Sequence, residues 1–346
     1  MTTTPHSPWA RVAGLGVALS FVVAIVVLAF SWPGVTAEPR DLPIAVTGPA
    51  EAVAGVEAAL ASQAEGAFLP EEVADRDAAV AAIEAREAYG ALVLGTAPEV
   101  LTASAASPIV AQQLAALAGG LEERLQQAIA AQVPAGAPVP DITVTVTDVV
   151  PLVDADPRGT GLIAAAFPLV LGGLIGGAGL TIALVGVVRR LVGLAVYAVV
   201  AGTLVTLVLQ TWLGVLPGPF VLDAAVFAAA LVAIGAPIIG SAAVFGRSGL
   251  AIGPVLFLLI ANPISSASTP VEFLPAPWGA VGQWFPPGAG ATLLRDSAYF
   301  PAANTLQPWL VLTGWTVLGV VLALVGRSRA TGGASEHAIE EAEATA

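Results

Sequence analysis

Six strongly apolar windows carry no Asp, Glu, Lys or Arg: Val12–Trp32, Gly159–Val188, Leu191–Leu222, Ala224–Gly246, Ser248–Val271 and Ser297–Gly326. Within the last, Leu306–Val325 is the clearest helix. A helix crosses the hydrocarbon core of a bilayer with about 20 apolar residues, so each window is long enough for one crossing. Charged residues make up only 11% of the chain, whereas a soluble domain has about 25%. A chain this poor in charge cannot cover itself with polar surface, and the lipid bilayer is its expected solvent. The first window could also be a secretory signal. It is longer, however, than the roughly 7–15 apolar residues of such a signal, and Phe30-Ser31-Trp32-Pro33 makes a poor cleavage site. A retained helix is the expectation.

Arg placement sets the expected orientation. With a cytoplasmic tail at 1–11, the inner side holds Arg11, Arg189, Arg190, Arg247, Arg327 and Arg329. The outer side then receives Leu216–Asp223, Pro270–Tyr299 and all of 33–158. Segment 33–158 has 18 acids against five Arg, and the rest of the chain has seven of each, so the whole net charge of −13 falls outside. Both termini are expected in the cytoplasm of a multi-pass plasma-membrane protein, with 327–346 a disordered tail. An acidic chain with no Arg cluster longer than two residues excludes a nucleic-acid partner. All twelve basic residues are Arg, which fits the coding bias of a GC-rich genome. Cysteine is absent, which excludes disulfides and thiolate metal sites, and His6 and His337 lie in the two tails.

Segment 33–158 reads as a discrete α/β domain inserted between the first two membrane helices. Asp41–Thr47, Tyr89–Leu94 and the strictly alternating Ile142–Asp148 are its strands. Glu51–Gln63, Asp77–Ala88 (capped near Asp75) and a long helix with Val110, Leu114, Leu117, Leu121 and Leu125 on one face lie between them. Such alternation predicts a small mixed sheet with packed helices. The acids Glu71, Glu72, Asp75, Asp77 and Glu84 do not have the spacing of a calcium loop. Ser104 and Ser107 have no neighbouring base. A solvated acidic face and a small-residue loop are the plainer readings, so neither metal nor cofactor is expected.

In the membrane half, 159–326, Asp156-Pro157-Arg158-Gly159 predicts a helix start, with Asp as cap and Pro at the first position. Gly172/Gly176 and Gly173/Gly177 permit close helix approach, within this chain or across a dimer. Pro237 and Pro254 should kink their helices. Asn262-Pro-Ile-Ser-Ser-Ala-Ser-Thr269 is too polar for lipid, and 270–300 is apolar, aromatic and broken by Pro and Gly. That composition suits an outer interfacial or re-entrant hairpin, buried in protein or lining a cavity, with Trp278 and Trp284 at the headgroups. Asn262, Ser265, Ser266 and Arg295 are the candidate substrate path, Arg295 being placed to pair with Asp296 or Glu272. The rival reading has these polar groups bonding neighbouring helices, and the two weigh equally here.

One helix, a large outer domain, five more helices and an outer hairpin before the last helix together form a plan. Asp156-Pro-Arg-Gly159 and Leu274-Pro-Ala-Pro-Trp…Phe285-Pro-Pro-Gly-Ala-Gly-Ala-Thr-Leu-Leu-Arg295 carry its motifs. The plan resembles the membrane subunit of type-two ABC exporters, and more closely their phage-infection-protein-like branch, with an actinobacterium-like source implied by the composition. The resemblance implies a homodimeric or heterodimeric permease that exports a hydrophobic or amphipathic molecule and is powered by a separate ATPase. No Gly-x-x-x-x-Gly-Lys loop exists in a chain without Lys, so ATP hydrolysis must come from another chain. Two departures stand out. Only about ten residues precede the first helix, and Val188-Arg-Arg-Leu191 is nearly the whole turn between the second and third. A non-transporting envelope surface protein whose outer domain binds a partner or scaffolds assembly is the competing function. A membrane-embedded enzyme has no acid/base or metal constellation to work with.

Overall fold

Residues 7–132 and 142–344 are described by a computed structural model of the chain, mostly helical with one small sheet. In chain order the elements are α1 (Trp9–Val35), β1 (Leu42–Thr47), α2 (Ala50–Gln63), β2 (Phe68–Glu72), α3 (Arg76–Glu84), β3 (Gly90–Val93), β4 (Glu99–Thr102), α4 (Pro108–Gln132), β5 (Thr145–Asp148), α5 (Thr160–Ala183), α6 (Val187–Thr206), α7 (Phe220–Phe245), α8 (Trp278–Gly282), α9 (Pro286–Tyr299) and α10 (Leu306–Ala344).

Strand order in the sheet is β2-β1-β3-β4-β5, parallel except for the antiparallel β3–β4 pair. Val46 lies opposite Leu92 and Leu92 opposite Val100, so the period-two side chains stack across strands. Ile44, Val46, Leu92 and Val100 turn to the face covered by α2 and α4, burying Val53, Val110 and Leu114. Ala45, Ala91 and Leu101 turn to the other face, where Ala79 and Ile83 of α3 close the layer. Asp75 caps α3 as the sequence predicts, its carboxylate accepting from the Ala78 amide at 2.8 Å. The helix ends at Glu84, earlier than the expected Ala88, and Arg86 takes a left-handed backbone at φ 58°. Two strands escape the sequence reading. Pro70 sits inside β2, tolerable because that strand is at the sheet edge, and β4 has only four residues without alternation.

The domain is not closed within 33–158. Phe273, 4% exposed, completes the core on the α2/α4 face, and Phe300, 1% exposed, completes the core on the α3 face. Both come from the ends of the segment holding α8 and α9, so that hairpin and the sheet domain are packed as one body.

Among the described residues five helices are long and apolar enough to cross a membrane: α1, α5, α6 with its π-helical continuation to Trp212, α7, and α10 over Leu306–Ser328. This is consistent with a multi-pass membrane protein. Ser248–Val271 does not form the sixth long helix that the sequence predicts. Gly246, at φ 65°, ends α7, and the chain folds back through a 3-10 helix, Gly246–Ala251, and a π-helix, Pro254–Ala261. Pro254 has no N–H to donate and its ring crowds the carbonyl four residues back; the helix is π-wound from Pro254 on, whereas α7 carries Pro237 within continuous α-helix. The π-helix ends at Ala261; Asn262 still has helical backbone at φ −66° and ψ −44°, and the chain leaves the helix in a turn at Pro263.

Helix α7 is the hub, flanked by α5, α6 and α10. Gly173 and Gly177 of α5 face Ile234, Gly235 and Ile238 of α7, while Gly172 and Gly176 face Tyr197 of α6. The Tyr197 hydroxyl donates to the Gly172 carbonyl at 2.9 Å. Both small-residue pairs are therefore spent on packing within the chain. Gly319 and Gly326 of α10 touch the backbone of Ala236–Pro237 and Ala243. Helix α10 is assigned as far as Ala344, and the Ala- and Glu-rich composition of its end favours helix. Helix α5 also starts later than predicted. Gly159, not Asp156, takes the cap position, although the Asp156 carboxylate still accepts from the Gly161 amide at 2.7 Å and the Leu162 amide at 3.3 Å.

Candidate functional site

Helices α8 and α9 form a hairpin that descends beside α7 and α10 instead of lying across their ends. Gly290 sits beside Ala230, and the Ser297 hydroxyl donates to the Asp223 carboxylate at 2.8 Å, so α9 runs antiparallel to α7. The turn between α8 and α9 reaches furthest, where the Trp315 indole donates to the Trp284 carbonyl at 2.9 Å. Trp315 lies nine residues inside α10, or ~13 Å at 1.5 Å per residue. Phe257 and Phe285 pack on the same indole, with centroids 5.2 and 5.6 Å away. Trp278 meets Trp32 of α1 edge-on at 6.3 Å. The two tryptophans assigned to one headgroup layer thus stand at different levels, Trp284 being carried down by the hairpin.

The path residues come together against this hairpin. Ser265, 3% exposed, donates its hydroxyl to the Asn262 carbonyl at 2.7 Å. Its own carbonyl accepts from the Gln283 side chain at 3.0 Å. Gln283 also accepts from the Thr292 hydroxyl at 2.7 Å, and its carbonyl accepts from Gln307 at 3.2 Å. Gln283 is thus the polar centre, joining the 262–267 segment, α9 and the start of α10. It escaped the sequence reading because a lone Gln between apolar aromatics has no periodic signal. Gly282 is pressed against the Ile264 carbonyl, with no room for a side chain. Ser265 therefore bonds within its own turn and to the hairpin. Two groups at the site are left over. The hydroxyl of Ser266, whose backbone is left-handed at φ 54°, and Nε of Arg295 are buried without a hydrogen-bond partner among the described residues.

Arg295 pairs with neither carboxylate proposed for it from the sequence. Its guanidinium donates to the Ala267 carbonyl at 3.2 Å. Asp296 instead forms a buried ion pair with Arg86 of the sheet domain, and Arg86 also lies 5.5 Å from the Phe300 ring centre. Glu272 accepts from the Tyr89 hydroxyl at 2.8 Å. Burial, followed by the nearby Glu272 charge, pushes the Tyr89 phenol well above its ordinary range, so it remains a donor. Asp296 and Glu272 are both taken by partners from the domain, more than 180 positions away in sequence. No local pattern reports such a pairing.

Beside this cluster, Ser268, Thr269 and Arg295 line a space of about 10 Å³ with Ser107 and Leu152, room for about one water. On the opposite end of the bundle, Arg189, Arg190 and Arg327 line a wider recess of about 580 Å³ with Gly186, Ala243 and Gly326. No known protein family, curated protein or solved structure matches the chain.

Proposed function

We propose that this chain is the membrane subunit of a type-two ABC-like exporter, moving a hydrophobic or amphipathic substrate with energy from a separate ATPase. The observation that carries the reading is the α8–α9 hairpin, whose turn reaches Trp315 inside α10. Non-helical backbone at membrane depth is tolerated where it is buried in protein or lines a cavity, and such a hairpin is a natural wall for a route. In this reading Gly246–Thr269 completes a sixth crossing, both termini are cytoplasmic, and 33–158 stands outside the plasma membrane. The route runs under the hairpin past Asn262, with Ser266 and Arg295 offering the two unused polar groups. The chain works as a homodimer or heterodimer, and the inner recess of Arg189, Arg190 and Arg327 is the surface offered to the ATPase.

The competing reading, a non-transporting surface protein, draws support from the link between α5 and α6, which consists of only Leu184–Gly186. So short a turn offers an ATPase no coupling helix. Mild solubilisation of the chain from its native membrane distinguishes the two. The transport reading expects a nucleotide-hydrolysing subunit to co-purify, lost in an R189E/R327E variant, with hydrolysis stimulated several-fold by amphipathic compounds after reconstitution. A folded, abundant chain that brings no such subunit would refute it.

A further inference from the structure

A second feature lies in the sheet domain, away from the hairpin. Helices α2 and α4 cover the same sheet face but scarcely touch each other among the described residues. Between them opens a groove of about 580 Å³, floored by Leu92 and Leu94 and walled by Val56 and Leu121. That volume falls in the roughly 300–1,000 Å³ range of small-molecule sites. Its openness has a residue-level cause. A side chain added at Gly55 of α2 or Gly120 of α4 would meet nothing within 4 Å, so both glycines face empty space in a position where ordinary helix residues would fill it. Arg124 lies at the groove and is the one charged residue lining it among the described residues. Arg40, Arg76 and Arg86 of the same segment are engaged by Glu38, Glu99 and Asp296; among the described residues Arg124 and Arg158 have no carboxylate partner, and of these two only Arg124 lines the groove. In a segment with 18 acids against five Arg, a cation without a carboxylate partner beside an apolar groove is suited to a charge-assisted bond with an anion.

We propose that this groove binds one single-chain anionic amphiphile, its acyl chain lying between α2 and α4 over Leu92 and Leu94 and its carboxylate meeting Arg124. The apolar lining takes the chain, each buried methylene being worth about fourfold in affinity. The guanidinium supplies a charge-assisted hydrogen bond, worth roughly tenfold over a neutral head of equal chain length. Its binding needs no ATPase and stands whether or not the chain moves a substrate.

The full-length chain in phosphatidylcholine nanodiscs tests this with a lauric acid bearing a chain-terminal diazirine. Photo-adducts should concentrate on peptides covering 52–64 and 116–125, above the background left on α1 by probe dissolved in lipid. Unlabelled lauric acid should compete about tenfold better than dodecanol, and R124Q should abolish that preference. A G55L/G120L variant should lose the groove adducts while melting no lower than the parent, since glycine inside a helix is destabilising. Groove adducts no denser than those on α1, adducts that survive G55L/G120L, or dodecanol competing as well as lauric acid would each overturn the proposal. If G55L/G120L melts lower, the acid-to-alcohol comparison in the parent and in R124Q still decides.

Discussion

The ion pair between Arg86 and Asp296 joins the sheet domain to the hairpin, and its worth can be worked from burial. The Asp296 side chain is 4% exposed and that of Arg86 17%. Removing one partner of a buried pair leaves an uncompensated charge and costs roughly 3–5 kcal/mol. R86M strands the more deeply buried carboxylate and also loses the contact with Phe300, so it should cost about 3 kcal/mol. D296N leaves a guanidinium that still reaches water and the ring face, so about 2 kcal/mol is expected. The double variant, with neither charge, should cost about 2 kcal/mol less than the sum of the two, within the usual range for contacting residues. At roughly 2–4 °C per kcal/mol for a body of 150–250 residues, R86M should lower the melting temperature by about 6–12 °C. Thermal unfolding of the full chain in nanodiscs, in a double-mutant cycle, measures this. Costs that simply add, or an R86M variant that melts with the parent, would refute the argument that this pair holds domain and hairpin together.

Other outcomes follow from the packing and the charges. A side chain at Gly319 would collide with the Ala236–Pro237 backbone, whereas Gly179 has nothing within 4 Å; G319V should therefore fail to yield folded protein while G179V melts with the parent. Residues 36–155 expressed alone lack Phe273 and Phe300, and at roughly 3–5 kcal/mol for each buried Phe removed they should unfold well below the same domain in the full chain, as calorimetry would show. Arg76 and, to a smaller extent, the Thr147 hydroxyl hold the Glu99 carboxyl below its ordinary range. Their contribution is complete above a carboxylate's usual pKa of about 4.3 and fades as pH falls through the lower folded-state value, so R76Q should flatten the acid limb of a stability–pH curve. Single cysteines at Ser62 and Ser335 should differ on intact cells, only the first reacting with an impermeant thiol reagent; the reverse pattern would invert the proposed topology.

The legible part of this protein is what a short stretch of residues decides by itself. Windows without charge give α1, α5, α6, α7 and the membrane part of α10, because burying a charge in lipid is prohibitive whatever the neighbours are. Asp75 capping α3 and the strands around Val46 and Val146 are likewise local, since a cap or an extended run is set within a few residues. Even there the sequence overreached. Ser248–Val271 is apolar enough for a long helix, but hydropathy is blind to the turn at Gly246 and the π-winding from Pro254, and the chain takes a broken path instead. The edge strand β2 was hidden by a proline that only an edge position forgives.

Tertiary structure alone decided which partners meet. Asn262, Ser265 and Arg295 stood out as polar residues in apolar surroundings, yet nothing in their spacing told that Gln283 would join the hairpin or that Arg295 would spend its guanidinium on the Ala267 carbonyl. The Arg86–Asp296 and Tyr89–Glu272 contacts, and the docking of Phe273 and Phe300 into the two faces of the domain core, bridge segments that periodicity treats as unrelated. The groove between α2 and α4 is hollow because two helices on one sheet face scarcely touch and Gly55 and Gly120 leave the space between them unfilled, whereas in sequence both read only as small residues. Local patterns fix what each segment becomes. Complementary charge and shape between distant segments, which have no signature until the chain has folded, fix where the segments go.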